Sequence, residues 1–436
     1  MVRLGATAPK RAGLRGVRVV IDARPMQEPE RAPLTAEYLE RLLTAFAREP
    51  LAGESFVVIS RALRDDPSDV LAREGLPVVG RRRLPPTTRV FRSAGLTLDS
   101  FLLRGAELGT VAREEAASAA VFHTAGGAVP VASRLPIVAT LLDLAPWELP
   151  GIYASSAAAR FGHRLRARVL NDATRVIVCS RASAETARRR LHLPADRLAV
   201  VPLAVDESFR AAGRQPDLVT ETRQRLGLPA RYLAFSGRYD ARKDMRTLFD
   251  ALRLLRDRDL SGTDTRGPGR RGAGNARDAP LPALVFAVTS GTADETDLVA
   301  RAIERSGVGE LITLVVPADD AERAQIVAGA EAFVYPALSE AAAMPVLEAL
   351  SLGVPVVCSR AGALPETVAT AGIVVAPRDP SRLAAAIEAV WDGGSLAQQL
   401  RSQAHRRAES TTRTWSDVAR ETREVYAAAA ASVSRR

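Results

Sequence analysis

One alternation, which runs, pauses and restarts, limits this chain more than anything else in it. The first half carries the strand-like runs VRVVID (17–22), FVVIS (56–60), AVFHT (120–124), PIVATLLD (136–143), RVIVCS (175–180) and LAVVPL (198–203). The second carries YLAFSG (232–237), ALVFAVTS (283–290), LITLVVP (311–317), EAFVYP (331–336), VPVVCS (354–359) and GIVVAP (372–377). Near-continuous β-branched runs of this length belong to strands covered on both faces. Helical segments lie between them. AEYLERLLTAF (36–46) sets Leu39, Leu42, Leu43 and Phe46 on one face, and RASAETARRRLH (181–192) reads as a helix. The order predicts an α/β chain of two doubly wound parallel sheets, each with helices on both faces. The polar stretch AAGRQPDLVT (211–220) marks the junction. This gives a loose Gly/Arg-rich tail over 1–16, a first domain over 17–212 and a second over 218–412. An insertion at 261–280 has too little apolar content to pack.

Composition removes several function classes. With 436 residues, 47% of them apolar and a quarter charged, the chain can build sizeable cores, which excludes wholesale disorder. No stretch reaches the ~18–20 consecutive apolar residues that span a bilayer. The opening residues show no apolar signal region before the first strand, so the expected location is cytoplasmic. Cys179 and Cys358 each end a β-branched run, a spacing that suits buried free thiols rather than a disulfide or metal framework. With only four histidines, a zinc site built from His and Cys is not expected. The net charge of +10 is spread along the chain without a basic and aromatic stripe, which argues against nucleic acid. Peripheral contact with an anionic membrane face stays open, as does a phosphorylated substrate.

Doubly wound sheets bind ligands beyond the carboxyl ends of their strands, which selects four places. In FSGRYDARKDMRTLFDAL (235–252), a strand ends at Gly237, Arg238 follows, and Lys243 precedes a helix. Lysine is rare here: of 60 basic residues only Lys10 and Lys243 are lysine, so a compact ammonium has been kept where a diphosphate could sit. In AFVYPALSEAAAMPVLEALSLGVPVVCS (332–359), Glu340 lies in a loop, Pro345 opens a helix, and Glu348 falls in its first turn. Two carboxylates at that spacing suit a polyhydroxylated ligand, though Glu348 could merely complement the helix dipole. The third segment is VFHTAGG (121–127), where His123 follows a strand and precedes paired glycines, and either faces a ligand or is satisfied within a strand-end network. The fourth is the IDARP turn with Tyr38, which is equally an ordinary strand–loop–helix connection.

Gly237-Arg238, a lysine five residues on, then Glu-x7-Glu and EALSLGVPVV (348–357) together resemble the nucleotide-binding half of the retaining glycosyltransferases of family 4. The resemblance implies a GT-B fold of two Rossmann-like domains facing a cleft, with a terminal helix (413–436) crossing back to the first. It implies that Arg238 and Lys243 neutralise the donor diphosphate without a metal or cofactor. Glu340 would meet the donor sugar and Glu348 the nucleotide ribose, while Gly237, Met344 and His123 complete the donor site. The expected reaction moves a hexosyl group, mannose or glucose, from a UDP- or GDP-sugar to a cell-envelope glycan or lipid-linked acceptor. A catalytically silent nucleotide-sugar-binding or scaffold protein of the same fold is the alternative.

The chain departs from the family where glycine is usual. The loop after the first strand is QEPERAPLT (27–35), and the segment after Glu340 is Ala341-Ala342-Ala343-Met344. A left-handed backbone there would be strained. Leu142 stands where the family often has a second histidine.

Overall fold

A computed structural model describes residues 16–85, 100–106, 120–261, 281–289 and 293–433. The tail before Gly16 and the insertion after Ser261 lie outside the described residues. The twelve runs read from the sequence are strands, and β3 is a thirteenth. The first series comprises β1 (Arg18–Asp22), β2 (Ser55–Arg61), β3 (Val78–Leu84), β4 (Ala120–Thr124), β5 (Ile137–Leu141), β6 (Arg175–Val178) and β7 (Leu198–Val200). They form one parallel sheet in the order β3-β2-β1-β4-β5-β6-β7. The second comprises β8 (Leu233–Gly237), β9 (Leu284–Val288), β10 (Ile312–Val315), β11 (Ala332–Tyr335), β12 (Val356–Ser359) and β13 (Gly372–Val375). Their order, β10-β9-β8-β11-β12-β13, is also all parallel.

The sequence hid β3 for a physical reason. It is an edge strand, and its residues alternate between half-buried and exposed up to Leu84, which is buried. Arg81 and Arg83 take Asp69 and Asp66 as partners, so β3 shows charges where an inner strand shows an apolar run.

By internal contacts the chain forms two compact units. One holds 1–142, 154–202 and 415–436; the other holds 143–153 and 203–414. The polar stretch at 211–220 therefore falls inside the second unit. Phe209 and Ala212 of the Glu207–Gly213 helix are buried against Ala324, which draws the chain from Leu203 onward into that unit. In the first unit the helix Trp415–Val433 packs along the helix Pro33–Arg48. Arg423 pins it by gripping Glu54 with two hydrogen bonds of 2.8 and 2.7 Å, its guanidinium 4.7 Å from the Phe46 ring. The second unit has a core built on Phe235, Phe286, Phe333 and Tyr335, all fully buried. Burying each such ring contributes about 1.5–3 kcal/mol. Neither cysteine is in a disulfide and both are buried, and burial pushes the Cys358 thiol up to about 12. Among the described residues no helix is long and apolar enough to cross a membrane.

Candidate active site

In a doubly wound sheet the crevice opens where strand order reverses. In the second sheet that point lies between β8 and β11, so the loops leaving these two strands flank it. Those loops carry Gly237 to Lys243 on one side and Pro336 to Met344 on the other. A 2.6 Å bond from the Leu338 amide to the Arg242 carbonyl ties them together.

Lys243, Tyr335 and Glu340 meet at this tie, all three buried. The Lys243 ammonium donates to Glu340 Oε2 at 2.8 Å and to the Tyr335 hydroxyl, and it lies 4.5 Å from the centre of the Tyr335 ring. Tyr335 in turn donates to the same Glu340 oxygen at 2.9 Å, and the Ala343 amide donates to the other at 3.2 Å. Burial alone would raise the Glu340 carboxyl, but the charges of Lys243 and Arg242 outweigh it and hold the group at about 2. Burial lowers the Lys243 ammonium from its ordinary value, with Glu340 opposing, and pushes the Tyr335 phenol well up. Glu340 is thus an ionised acceptor at neutral pH, unsuited to donating a proton.

A strap from the chain following β5 joins this site. Asp143 pairs with Arg242 at 2.9 Å, Tyr153 donates to Asp240 at 2.9 Å, and Ser339 donates to Glu148. Arg238 stands apart from the cluster, more than a third exposed, and reaches Glu295 at 3.3 Å. The same carboxylate accepts the Tyr239 amide at 3.0 Å. Glu348 is the fifth residue of the helix Met344–Ser351, one turn deeper than its expected place in the first turn. There Arg323 takes both of its oxygens, at 2.9 Å from Nη2 and through a second bond from Nη1.

Backbone geometry shows where the missing glycines matter. Ala343, immediately before Met344, sits at φ +54°, ψ +32°, the left-handed conformation that the all-alanine loop was expected to find costly. For a non-glycine residue the cost is ~1–2 kcal/mol. Gly362, at φ +48°, supplies the close approach instead: a Cβ there would fall 2.0 Å from the Glu340 carbonyl oxygen. That oxygen accepts the Ala363 amide at 2.8 Å. Gly237 ends β8 at φ +149°, which the crowding around it does not explain but which suits glycine alone.

For His123 and Tyr38 the structure shows the second of the two readings that the sequence left open, a buried network. His123 is fully buried in the first unit, with Nε2 2.9 Å from the Thr140 hydroxyl and Nδ1 2.7 Å from the Tyr426 hydroxyl. Both ring nitrogens thus have hydroxyl partners, and burial holds the imidazole down at about 3 despite the pull of Asp22. The Tyr38 hydroxyl lies 3.2 Å from the same Thr140. The IDARP turn closes on itself through the buried Asp22–Arg24 pair at 2.7 and 2.9 Å. Sequence reasoning also missed partners within the second unit. Tyr335 ends a strand run just before Pro336 and Arg242 adjoins Lys243, so both could have been found. Arg323 carries no local signal, because its contact with Glu348 exists only in three dimensions.

Residues 35–209 match the family described as Glycosyltransferase Family 4, and residues 219–407 match Glycosyl transferases group 1. The O-antigen chain mannosyltransferase B of Escherichia coli is 28% identical over 251 residues, 57% of this chain and 60% of that protein. The MMP alpha-(1->4)-mannosyltransferase of Mycolicibacterium hassiacum is 34% identical over 137 residues, 31% of this chain and 33% of the relative. The matched region thus spans between a third and three fifths of these relatives. Among solved structures, sucrose-phosphate synthase from Thermosynechococcus elongatus superposes with a TM-score of 0.69 at 18% identity, covering 95% of this chain and all of that one. Anabaena Alr3699/HepE in complex with UDP and glucose gives 0.64 at 18% identity, covering 94% and 99%. Two family matches follow one another along the chain, the first over β2 to β7 and the second over β8 to β13, and the fold is shared with GT-B structures: the chain belongs to the family 4 type of GT-B glycosyltransferases.

Proposed function

We propose that this protein transfers a hexosyl group, mannose or glucose, from a UDP- or GDP-linked donor to a cell-envelope glycan or lipid-linked acceptor, with retention of configuration. The observation that carries the reading is the Lys243–Tyr335–Glu340 cluster at the carboxyl ends of β8 and β11. Mannosyl transfer by two relatives supports the sugar class, and the UDP and glucose bound by Alr3699/HepE support the donor class.

In this reading the anomeric carbon's bond to the diphosphate breaks as its bond to the acceptor oxygen forms on the same face. The acceptor proton passes to the departing phosphate. Lys243 and Arg238 oppose the charge that grows on that phosphate, together with the amides around Met344. Preorganised donors of this kind are each worth roughly 10²–10³ in kcat. A diphosphate arriving beside Lys243 competes with Glu340 for the ammonium, leaving the ionised carboxylate to accept hydroxyls of the donor sugar. Glu348 takes the ribose. Charge neutralisation is assigned to these cations, with no step given to a metal ion or cofactor.

A second reading, nucleotide-sugar binding without turnover, is favoured by Ala343, a non-glycine residue held at a strained left-handed conformation in the loop after Glu340. Calorimetric titration with UDP- and GDP-hexoses, on wild type and a Lys243→Ala, Glu348→Ala variant, tests the pocket. Binding of one donor class, lost in the variant, supports it; no binding of either class to wild type overturns both readings. Release of nucleoside diphosphate with a glycan acceptor, and the anomeric configuration of the product by NMR, then separates transfer from silent binding. The net charge of +10 supports recruitment to anionic membrane surfaces. Failure to sediment with anionic vesicles even at low salt would remove that element.

A further inference from the structure

Glu348 is held more elaborately than a helix-surface carboxylate needs. It projects from the helix Met344–Ser351, and Arg323 reaches it from the helix Asp320–Ala328. The two side chains are only 8% and 11% exposed. The guanidinium is itself fixed on three sides. Its Nη1 and Nη2 take the two Glu348 oxygens, its Nε and Nη2 reach Asp320 Oδ1 at 3.1 and 3.0 Å, and its Cζ lies 4.6 Å from the centre of the Phe209 ring. A desolvated ion pair of this kind is a weak source of stability, since well-packed apolar residues in its place are often as stable or more so. Its distinctive product is geometry, because a planar fork sets the plane of the carboxylate it grips, which an ammonium cannot do.

That plane matters for one ligand chemistry. Each carboxylate oxygen can accept two hydrogen bonds, so after Arg323 has taken one on each, both oxygens keep an acceptor site. A vicinal cis-diol offers two O–H donors at the spacing of two carboxylate oxygens. We propose that Arg323 is a positioning residue that orients Glu348 for the 2′- and 3′-hydroxyls of the donor's ribose, so that the enzyme distinguishes ribonucleotides from deoxyribonucleotides. This rests on the reading that Glu348 meets the ribose.

The test is calorimetric titration of the full chain with UDP and GDP and with their 2′-deoxy counterparts, for wild type, Arg323→Lys and an Arg323→Met, Glu348→Gln double variant. Wild type should prefer the ribonucleotide by about 10-fold or more, the loss expected for one hydrogen bond to a charged group. Arg323→Lys keeps the positive charge but not the fork. Its preference should fall toward unity by loss of ribonucleotide affinity alone, with deoxynucleotide affinity unchanged. The double variant removes both charges at once, so it stays folded without a stranded carboxylate and should show no preference. Two results overturn the proposal: an unchanged preference in Arg323→Lys, or equal losses for both nucleotides, which would mark Arg323 as structural only. If wild type binds no nucleoside diphosphate, the functional reading above falls first and takes this proposal with it. If wild type binds without preference, the ribose assignment fails while the donor pocket stands.

Discussion

His123 links the stability of the first unit to pH in a way that can be worked out from its surroundings. The imidazole is fully buried, with Thr140 on one nitrogen and Tyr426 on the other, and burial holds it at about 3 against an ordinary 6.5. As pH falls, the unfolded chain takes up the proton first. The associated stability is therefore fully present above about pH 6.5 and is lost steadily as pH falls toward 3. Each pH unit within that window removes about 1.4 kcal/mol, so the step from pH 8 to pH 5 should cost about 2 kcal/mol through this residue alone. His123→Gln keeps a donor and an acceptor for the same neighbours but does not titrate. Urea unfolding at pH 8, 6.5 and 5 would measure the difference. The readout is Trp415, whose ring lies 6.1 Å from Tyr38, with Trp147 and Trp391 replaced by phenylalanine in both proteins. Wild type should lose about 2 kcal/mol more than the variant over that range. Parallel pH dependences would refute the buried, neutral imidazole. Loss of nucleotide-sugar affinity in the variant, with normal stability, would restore the ligand role that the sequence suggested.

Two further outcomes follow from close packing and buried charge. Gly362→Ala places a methyl 2.0 Å from the Glu340 carbonyl at a positive φ, and should cost about 2–4 kcal/mol in thermal or urea unfolding while abolishing nucleotide-sugar binding. A variant with wild-type stability would show that the Glu340 loop is not held there. Arg423→Met strands Glu54 in the first unit and should cost about 3–5 kcal/mol, freeing the terminal helix to limited proteolysis; Arg423→Met with Glu54→Gln should recover most of it. Equal stability of Arg423→Met and wild type would mean that the helix is held by its apolar face alone.

The sequence by itself determined the strand-helix alternation, the two sheets and the positions of Arg238, Lys243, Glu340 and Glu348. Strands covered on both faces must be apolar along their whole length, and loops at a sheet's carboxyl edge can carry charge, so both are written locally. It also foresaw the strain at Ala343, since a left-handed position resists any side chain. What only the tertiary structure decided was partnership. The edge strand β3 was illegible because its identity comes from pairing with β2 rather than from its own apolar content. His123 read as a ligand because a histidine at a strand end looks the same whether it faces a crevice or a buried tyrosine 303 residues away. Arg323, the strap residue Asp143 and the Gly362 contact share that cause: each acts on a side chain or carbonyl distant in sequence, and folding alone decides which buried charge meets which.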